Sequence, residues 1–367
     1  MTKPISLSHF LLDDNTQLRL YDMGRRVTKM RLSEFEKFEQ RQTPYPYPYQ
    51  QTAWLGLLFW NVKNKDQHNI WFIRMPLDEQ GLINIASRDE FLDMLLARIG
   101  EQIASKAKQD DTNTTLSHAL KDNPYVFKPT EENMAIFHAK ASQTLGLPAS
   151  RFLPDTISYL SNADYASWQH LGIQGFADIA VRHDQTDINN LLCQAVPALP
   201  EVPYCTICNA LENEACNSAL TEKIIAVIHD ILNSDKTPLS EDSKTGEKVN
   251  RLVSSIRAIA NTQVKQRKIS VLNDILHSAF GSNATLLVII AAKCWEALDD
   301  KALLKLYLEK LAAAPSGNKL FTALMADQMF MPGKREQILQ IFRDPNRSEA
   351  LSAAVGVFFQ QMSHANA

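Results

Sequence analysis

Two regimes of hydrophobic patterning divide the chain. Up to about residue 105 the apolar positions come in short runs of strand length; beyond residue 130 they recur at helical spacing. The densest apolar stretch is Ala53-Trp54-Leu55-Gly56-Leu57-Leu58-Phe59-Trp60, answered after a polar gap by Ile70-Trp71-Phe72-Ile73. Both runs are rich in aromatic side chains and predict a buried β-hairpin, with the polar segment 63–69 as its turn. Apolar residues of both parities over 53–62 predict a strand covered on both faces. Segments 17–22 and 26–30, flanking Gly24, predict two further short strands. Helices are predicted over 5–12, over 34–40 behind an S-x-x-E capping box at Ser33 and Glu36, and behind a second box at Ser87 and Glu90. That last helix would carry Phe91, Leu95, Ile99 and Ile103 on one side. Residues 1–105 therefore read as an α+β domain built on an aromatic hairpin.

Residues 106–129 lose most of their apolar content and include Pro124 and Pro129, which predicts a linker. Residues 130–367 read as an all-α domain of paired helices: 150–161 with 165–182, 187–197 with 203–214, 249–261 with 267–280, 285–297 with 300–313, and 318–330 with 334–343. A helix over 218–233, a polar break over 235–247 and a last helix over 348–362 complete the pattern. The later pairs recur every roughly 30–35 residues, the signature of a helical-hairpin solenoid. Tetratricopeptide and ankyrin patterns are absent, while segments 162–173 and 344–356 look like second helices of HEAT-type repeats. The predicted fold class is an α+β N-terminal domain followed by an irregular, HEAT-like helical-repeat domain.

Ahead of the hairpin stands Pro44-Tyr45-Pro46-Tyr47-Pro48-Tyr49. Alternate prolines exclude helix and favour an extended, preformed ribbon. Such a ribbon is a candidate recognition surface through Tyr45, Tyr47 and Tyr49, or else a connector packed on the hairpin. In polyproline II geometry the three rings point in different directions, leaving at least one exposed; in β geometry all three could be buried together.

A net charge of −3 and a pI near 6.3 argue against a generally basic nucleic-acid binder. The five cysteines, an odd number in a long chain, do not form a disulfide framework, which favours a reducing cytoplasm. No apolar run approaches the ~20 residues that span a bilayer, and no leader pattern opens the chain, so the expectation is a cytoplasmic protein without membrane contact.

Candidate chemistry is sparse. Cys205-Thr206-Ile207-Cys208, with Cys193 and Cys216 nearby, could offer thiolates to zinc, yet no second Cys or His pair completes the site; i, i+3 cysteines on a helix also suit a core. His183-Asp184 and His229-Asp230, with His170 upstream, resemble the HD metal-dependent phosphohydrolases, in which His170, His183 and Asp184 would be ligands. No H-E-x-x-H, G-x-S-x-G or Walker sequence occurs. Residues 248–268 hold six basic residues and no acidic one. With Val249, Leu252, Val253, Ile256, Ile259 and Ala260 as the buried stripe, Arg251, Arg257 and the Lys265, Arg267, Lys268 cluster would face outward, as a solvated face or a patch for phosphate or an acidic partner.

Tyr21-Asp22-Met23-Gly24-Arg25-Arg26-Val27, the Pro/Tyr ribbon with Gln50-Gln51-Thr52-Ala53-Trp54, and Leu58-Phe59-Trp60 together resemble a family of uncharacterised gammaproteobacterial proteins classed as a domain of unknown function. The resemblance implies a bacterial, cytoplasmic protein and carries no activity, cofactor or site residues. The expectation is a non-enzymatic interaction or adaptor protein whose partner is another protein and which needs no cofactor. The alternatives are an HD-type phosphohydrolase and a nucleic-acid-associated factor using the 248–268 patch.

Overall fold

The computed structural model describes residues 6–12, 15–105, 120, 122–234 and 243–365. The chain divides into two compact units: Met1–Phe137 with Thr144–Gly146 and Phe330–Pro332, and His138–Gln143 with Leu147–Met329 and Gly333–Ala367. The main segment of the first unit runs to Phe137.

In that unit β1 (Thr16–Asp22), β2 (Thr28–Met30), β3 (Thr52–Asn61) and β4 (Asn64–Pro76) form an antiparallel sheet in the order β2-β1-β3-β4. Strand alternation puts Leu18, Leu20, Leu55, Leu57, Phe59, Trp71 and Ile73 into one core. Leu7 and Leu11 of α1 (Leu7–Leu11), Phe35 and Phe38 of α2 (Leu32–Glu39), and Phe91 and Leu95 of α3 (Ile85–Ser105) join them. Ile99 and Ile103 lie outside the described side chains. On the opposite face the Phe137 ring, from α4 (Glu131–Leu145), meets Tyr21 at 5.2 Å and Phe72 at 4.9 Å. Gly56 makes room for it, since a Cβ there would stand 2.7 Å from Phe137. β3 is accordingly covered on both faces, as its apolar parities predict.

The hairpin is longer than expected. Its reversal is at Val62-Lys63, and residues 64–69 belong to β4, with a register shift between Trp60 and Asn61. Ladder bonds come from the backbone, so exposed polar side chains do not prevent pairing there. Neither capping box forms as read. α2 starts one residue before Ser33, without a side-chain cap, and Asn84 rather than Ser87 caps α3 by accepting from the Ser87 N–H at 3.1 Å. Residues 106–119 and 121 of the expected linker lie outside the described residues. Its remainder is packed: Leu120 is buried, Arg74 N–H donates to Tyr125 O at 2.7 Å, and Phe127 N–H donates to Phe72 O at 3.2 Å. Phe127 also packs edge-on against Trp54, so Tyr125, Val126 and Phe127 supply the apolar surface that a free linker lacks.

The described residues of the second unit form helices and the turns between them: α5 (Leu153–Asn162), α6 (Ile173–Val181), α7 (Thr186–Ala195), α8 (Glu201–Leu211), α9 (Ser218–Ser234), α10 (Ser243–Ile259), α11 (Lys265–His277), α12 (Ala284–Lys293), α13 (Lys301–Ala312), α14 (Gly317–Phe330), α15 (Lys334–Phe342) and α16 (Glu349–Ala365). The helix expected over 165–182 is shorter, because 163–172 forms turns. Alternate helices stack: α6, α8, α10 and α12 are successive neighbours in one layer, and α5, α7 and α9 in the other. Side-chain bridges between helices recur at a fixed offset. Glu212 meets Arg257, Glu222 meets Arg267 and His229 meets Asp274, each pair 45 residues apart. Farther along, Lys305 bonds Asp344 and Lys334 bonds Trp295 O, both across 39 residues. This is a helical-repeat body: its later alternate helices α12, α14 and α16 start at Ala284, Gly317 and Glu349, 33 and 32 residues apart, the spacing read from the later helix pairs.

Candidate functional site

The basic stretch 248–268 spans α10 and the first turn of α11, and its cations do not converge. The Arg251 guanidinium lies 4.1 Å from the Tyr204 ring centroid and donates to Leu199 O at 3.1 Å. Arg257 Nε donates to Glu212 at 2.6 Å, and Arg267 forks onto Glu222 at 2.9 and 3.1 Å. Lys265 is exposed. Lys268 is buried, where its Nζ donates to Ala260 O at 2.6 Å and closes the end of α10. The outward placement expected for Lys268 is therefore corrected. It shares the i, i+3, i+4, i+7 face of Val271, Leu272 and Ile275, which is the inner face of α11.

Arg257 belongs instead to a groove of about 430 Å³ between α8 and α10. The two helices run parallel, since Glu201 bonds Asn250 at one end and Glu212 bonds Arg257 at the other. Val202, Cys205, Thr206 and Asn209 line it from α8; Asn250, Val253, Ser254 and Arg257 line it from α10. Each set falls at i, i+3/i+4, i+7, one face of a helix. Most of the polar lining is engaged: Asn250 Nδ2 donates to Glu201 at 2.9 Å, Thr206 Oγ1 to Val202 O at 2.9 Å, and Cys205 Sγ to Asn250 O at 3.8 Å. Asn209 Oδ1 is buried without a hydrogen-bond partner among the described residues.

Glu212, behind the groove, is almost fully buried, yet its carboxyl is held below the ordinary value. Lys293 at 3.0 Å and Arg257 at 2.6 Å outweigh its desolvation. Glu214, two residues on, lies 2.6 Å from one cation, Lys140, and burial raises its carboxyl. Burial also raises the Cys205 thiol and pushes Cys208 up to about 12. The raised thiols disfavour nucleophilic thiolate at both positions. His183 is buried with Nδ1 at 3.0 Å from Ala180 O and Nε2 at 3.4 Å from Ala215 O, so both ring nitrogens face carbonyls. His170 lines a separate cleft of about 170 Å³ with Asp155 and Asp164. Among the described residues no group of three or more His, Cys, Asp or Glu side chains is placed to hold a metal ion. Among them, too, no helix is long and apolar enough to cross a membrane.

The Pro/Tyr ribbon is graded rather than uniform. Tyr45 is 0% exposed, Tyr47 half-buried and Tyr49 36% exposed. The Tyr45 hydroxyl donates to Asp22 Oδ1 at 2.7 Å, and its backbone N–H donates to Gly81 O at 2.9 Å. Arg25 Nε donates to Pro48 O at 2.8 Å, fixing the other end. Tyr45 is thus a core residue. The exposed tyrosine of the ribbon is Tyr49, beside Trp54, whose indole donates to Tyr49 O at 3.1 Å.

The family model described as "Protein of unknown function (DUF3549)" matches residues 4–359. The chain belongs to this family. No curated protein and no solved structure matches it. The segments that carry the resemblance, 21–27 and 44–54, are in this DUF3549 protein the ones locked around Asp22. That carboxylate accepts from Tyr45 and from the N–H groups of Arg25 and Arg26 at 3.1 and 3.3 Å, and burial raises it to about 6. Gly24 lets the loop close, because a Cβ there would stand 3.0 Å from Trp54 and 3.1 Å from Tyr49. Asp22, Asn209 and Glu212 were not singled out by sequence reasoning. The one signal was spacing: Asn209 shares a helix face with Cys205, and Glu212 precedes Arg257 by one repeat.

Proposed function

We propose that this DUF3549 protein is a non-enzymatic interaction protein that binds another protein on its helical-repeat unit, in the groove between α8 and α10. The observation that carries the reading is the groove itself: about 430 Å³, within the range of binding clefts, with Val202 47% exposed and Val253 half-buried on its two walls. Stacked helix pairs expose such inter-helix grooves by construction. Burial raises the nearby Cys205 and Cys208 thiols, which disfavours thiolate chemistry at the groove. Nucleic-acid contact through 248–268 has less support, since Arg251, Arg257, Arg267 and Lys268 each have an internal partner.

The test compares wild type with a Val202→Arg/Val253→Lys variant of unchanged circular dichroism and melting temperature. Each is used as bait in nuclease-treated lysate of the native cell, and captured proteins are purified and titrated against both. A partner that binds wild type and loses at least tenfold affinity for the variant is expected. Equal binding to both, or capture that vanishes with nuclease, would overturn the reading.

A further inference from the structure

We infer that α16 carries a self-association face on which a second copy of this chain docks. The helix buries Leu351, Ala354, Val355 and Phe358, the i, i+3, i+4, i+7 set that faces its own unit. Outside that face, Ala353, Gly356, Phe359 and Met362 follow one another at intervals of three, an oblique row of the kind through which helices pack. All four are exposed, Phe359 at 46% and Met362 at 40%, and a Cβ added to Gly356 would meet nothing within 4 Å. Glycine in a helix interior is destabilising relative to alanine, and the described residues supply no packing reason for it here. A backbone that comes close at Gly356 supplies one.

Charge and shape make the neighbour a second copy. From Ala350 to Ser363 the helix has no charged side chain, so two copies meet there without setting like charges together, the usual obstacle to a surface that meets itself. The row is also its own complement. A twofold axis through Gly356, perpendicular to the row, lays each Phe359 against Ala353 of the second copy and brings the two Gly356 backbones together. That is the isologous pattern, in which one residue meets a second and the second meets the first. The large member of each pair is already in place, because the Phe359 ring packs on Phe342 and Phe358 at 6.1 and 5.5 Å between centroids. Docking removes the rest of that ring from water. A helix seated there continues the layer in which α11, α13 and α16 are successive neighbours. None of the residues lining the α8–α10 groove belongs to α16, so self-association and partner capture stand or fall separately.

Sedimentation velocity of the full-length protein over a concentration series tests this. Wild type is expected to show a monomer–dimer equilibrium, weakened at least tenfold by Phe359→Lys and by Gly356→Leu. Gly356→Leu enters open space and replaces a poor helix former, so at a dilution where wild type is monomeric its melting temperature should be equal or higher. That separates lost association from lost folding. Gly356→Cys, on the axis, should cross-link to its own copy under mild oxidation faster than Gln361→Cys, with wild type as the background from its five native cysteines. A wild type that stays monomeric at every concentration, a dimer that survives Phe359→Lys, or equal cross-linking of the two cysteine variants would overturn the inference.

Discussion

The two units pair charge in different ways. In the sheet unit two buried carboxylates reach distant partners once each: Asp22 is met by Tyr45 across 23 residues, and Glu39 accepts from the Leu7 and Ser8 N–H groups across 32 and 31. In the helical unit, ion pairs recur with the repeat, 45 residues apart at Glu212–Arg257 and Glu222–Arg267. A singular contact has no neighbour to replace it, so its loss is felt by the whole unit. A repeated contact joins one helix to the next, so its loss weakens one interface of a nearest-neighbour stack.

The sharpest way to break the comparison is Tyr45→Ala. It deletes a fully buried ring and leaves the Asp22 carboxylate short of a donor, for an expected loss of about 4 kcal/mol. Denaturant unfolding followed by tryptophan fluorescence checks it, since Trp54, Trp60 and Trp71 lie in that unit. A change below about 1 kcal/mol would show the ribbon to be dispensable. Tyr49→Ser, at the exposed end, should cost less than about 1 kcal/mol in the same experiment.

Next in size, Glu212→Ala leaves Arg257 and Lys293 without their shared carboxylate and is expected to cost about 3 kcal/mol. Because the effect is local to the α8–α10–α12 stack, hydrogen exchange should rise there and leave the sheet unit unchanged. Protection lost evenly through the chain would contradict the modular picture.

The sheet unit also carries a pH signature. The Asp22 carboxyl is raised in the fold from 3.8 to about 6, so its charged form is the disfavoured one. A group shifted in that direction contributes most below its unfolded value and loses that contribution as pH rises through about 6. Asp22→Asn keeps an acceptor for Tyr45 and removes the titration. Relative to wild type it should be stabilising above about pH 6, by on the order of 2 kcal/mol, and the gap should close toward pH 4. Melting curves of the two proteins across that range check the sign; a gap that widens on acidification would show that another group carries the dependence.

The smallest expected effect sharpens the comparison from the other side. Arg267–Glu222 repeats the offset of the Arg257–Glu212 bridge but stands in solvent, with side chains 39% and 46% exposed. Arg267→Ala should change stability by no more than about 0.5 kcal/mol. A loss comparable to that of Glu212→Ala would mean that repetition, rather than burial, decides what such a bridge contributes.

Periodicity alone determined much of this protein. Continuous apolar runs over 53–60 and 70–73 specified a buried hairpin whose first strand is covered on both faces, and helical spacing after residue 130 specified the repeat body. The two cysteines at i, i+3 suited a core on the same ground; Cys208 is buried, whereas Cys205 is half-buried on the groove wall. What only the tertiary structure decided depends on partners distant in sequence. Lys268 sits in a basic run like Lys265, and its inward turn follows from Ala260 O awaiting a donor at the end of the preceding helix. The polar residues 64–69 became strand because β3 offered its backbone, and Tyr125–Phe127 became sheet edge because β4 offered its own. Asn209 and Glu212 carry no motif. Their character comes from α10 and α12 arriving one and two repeats later, leaving one acceptor unmet and surrounding the other carboxylate with cations.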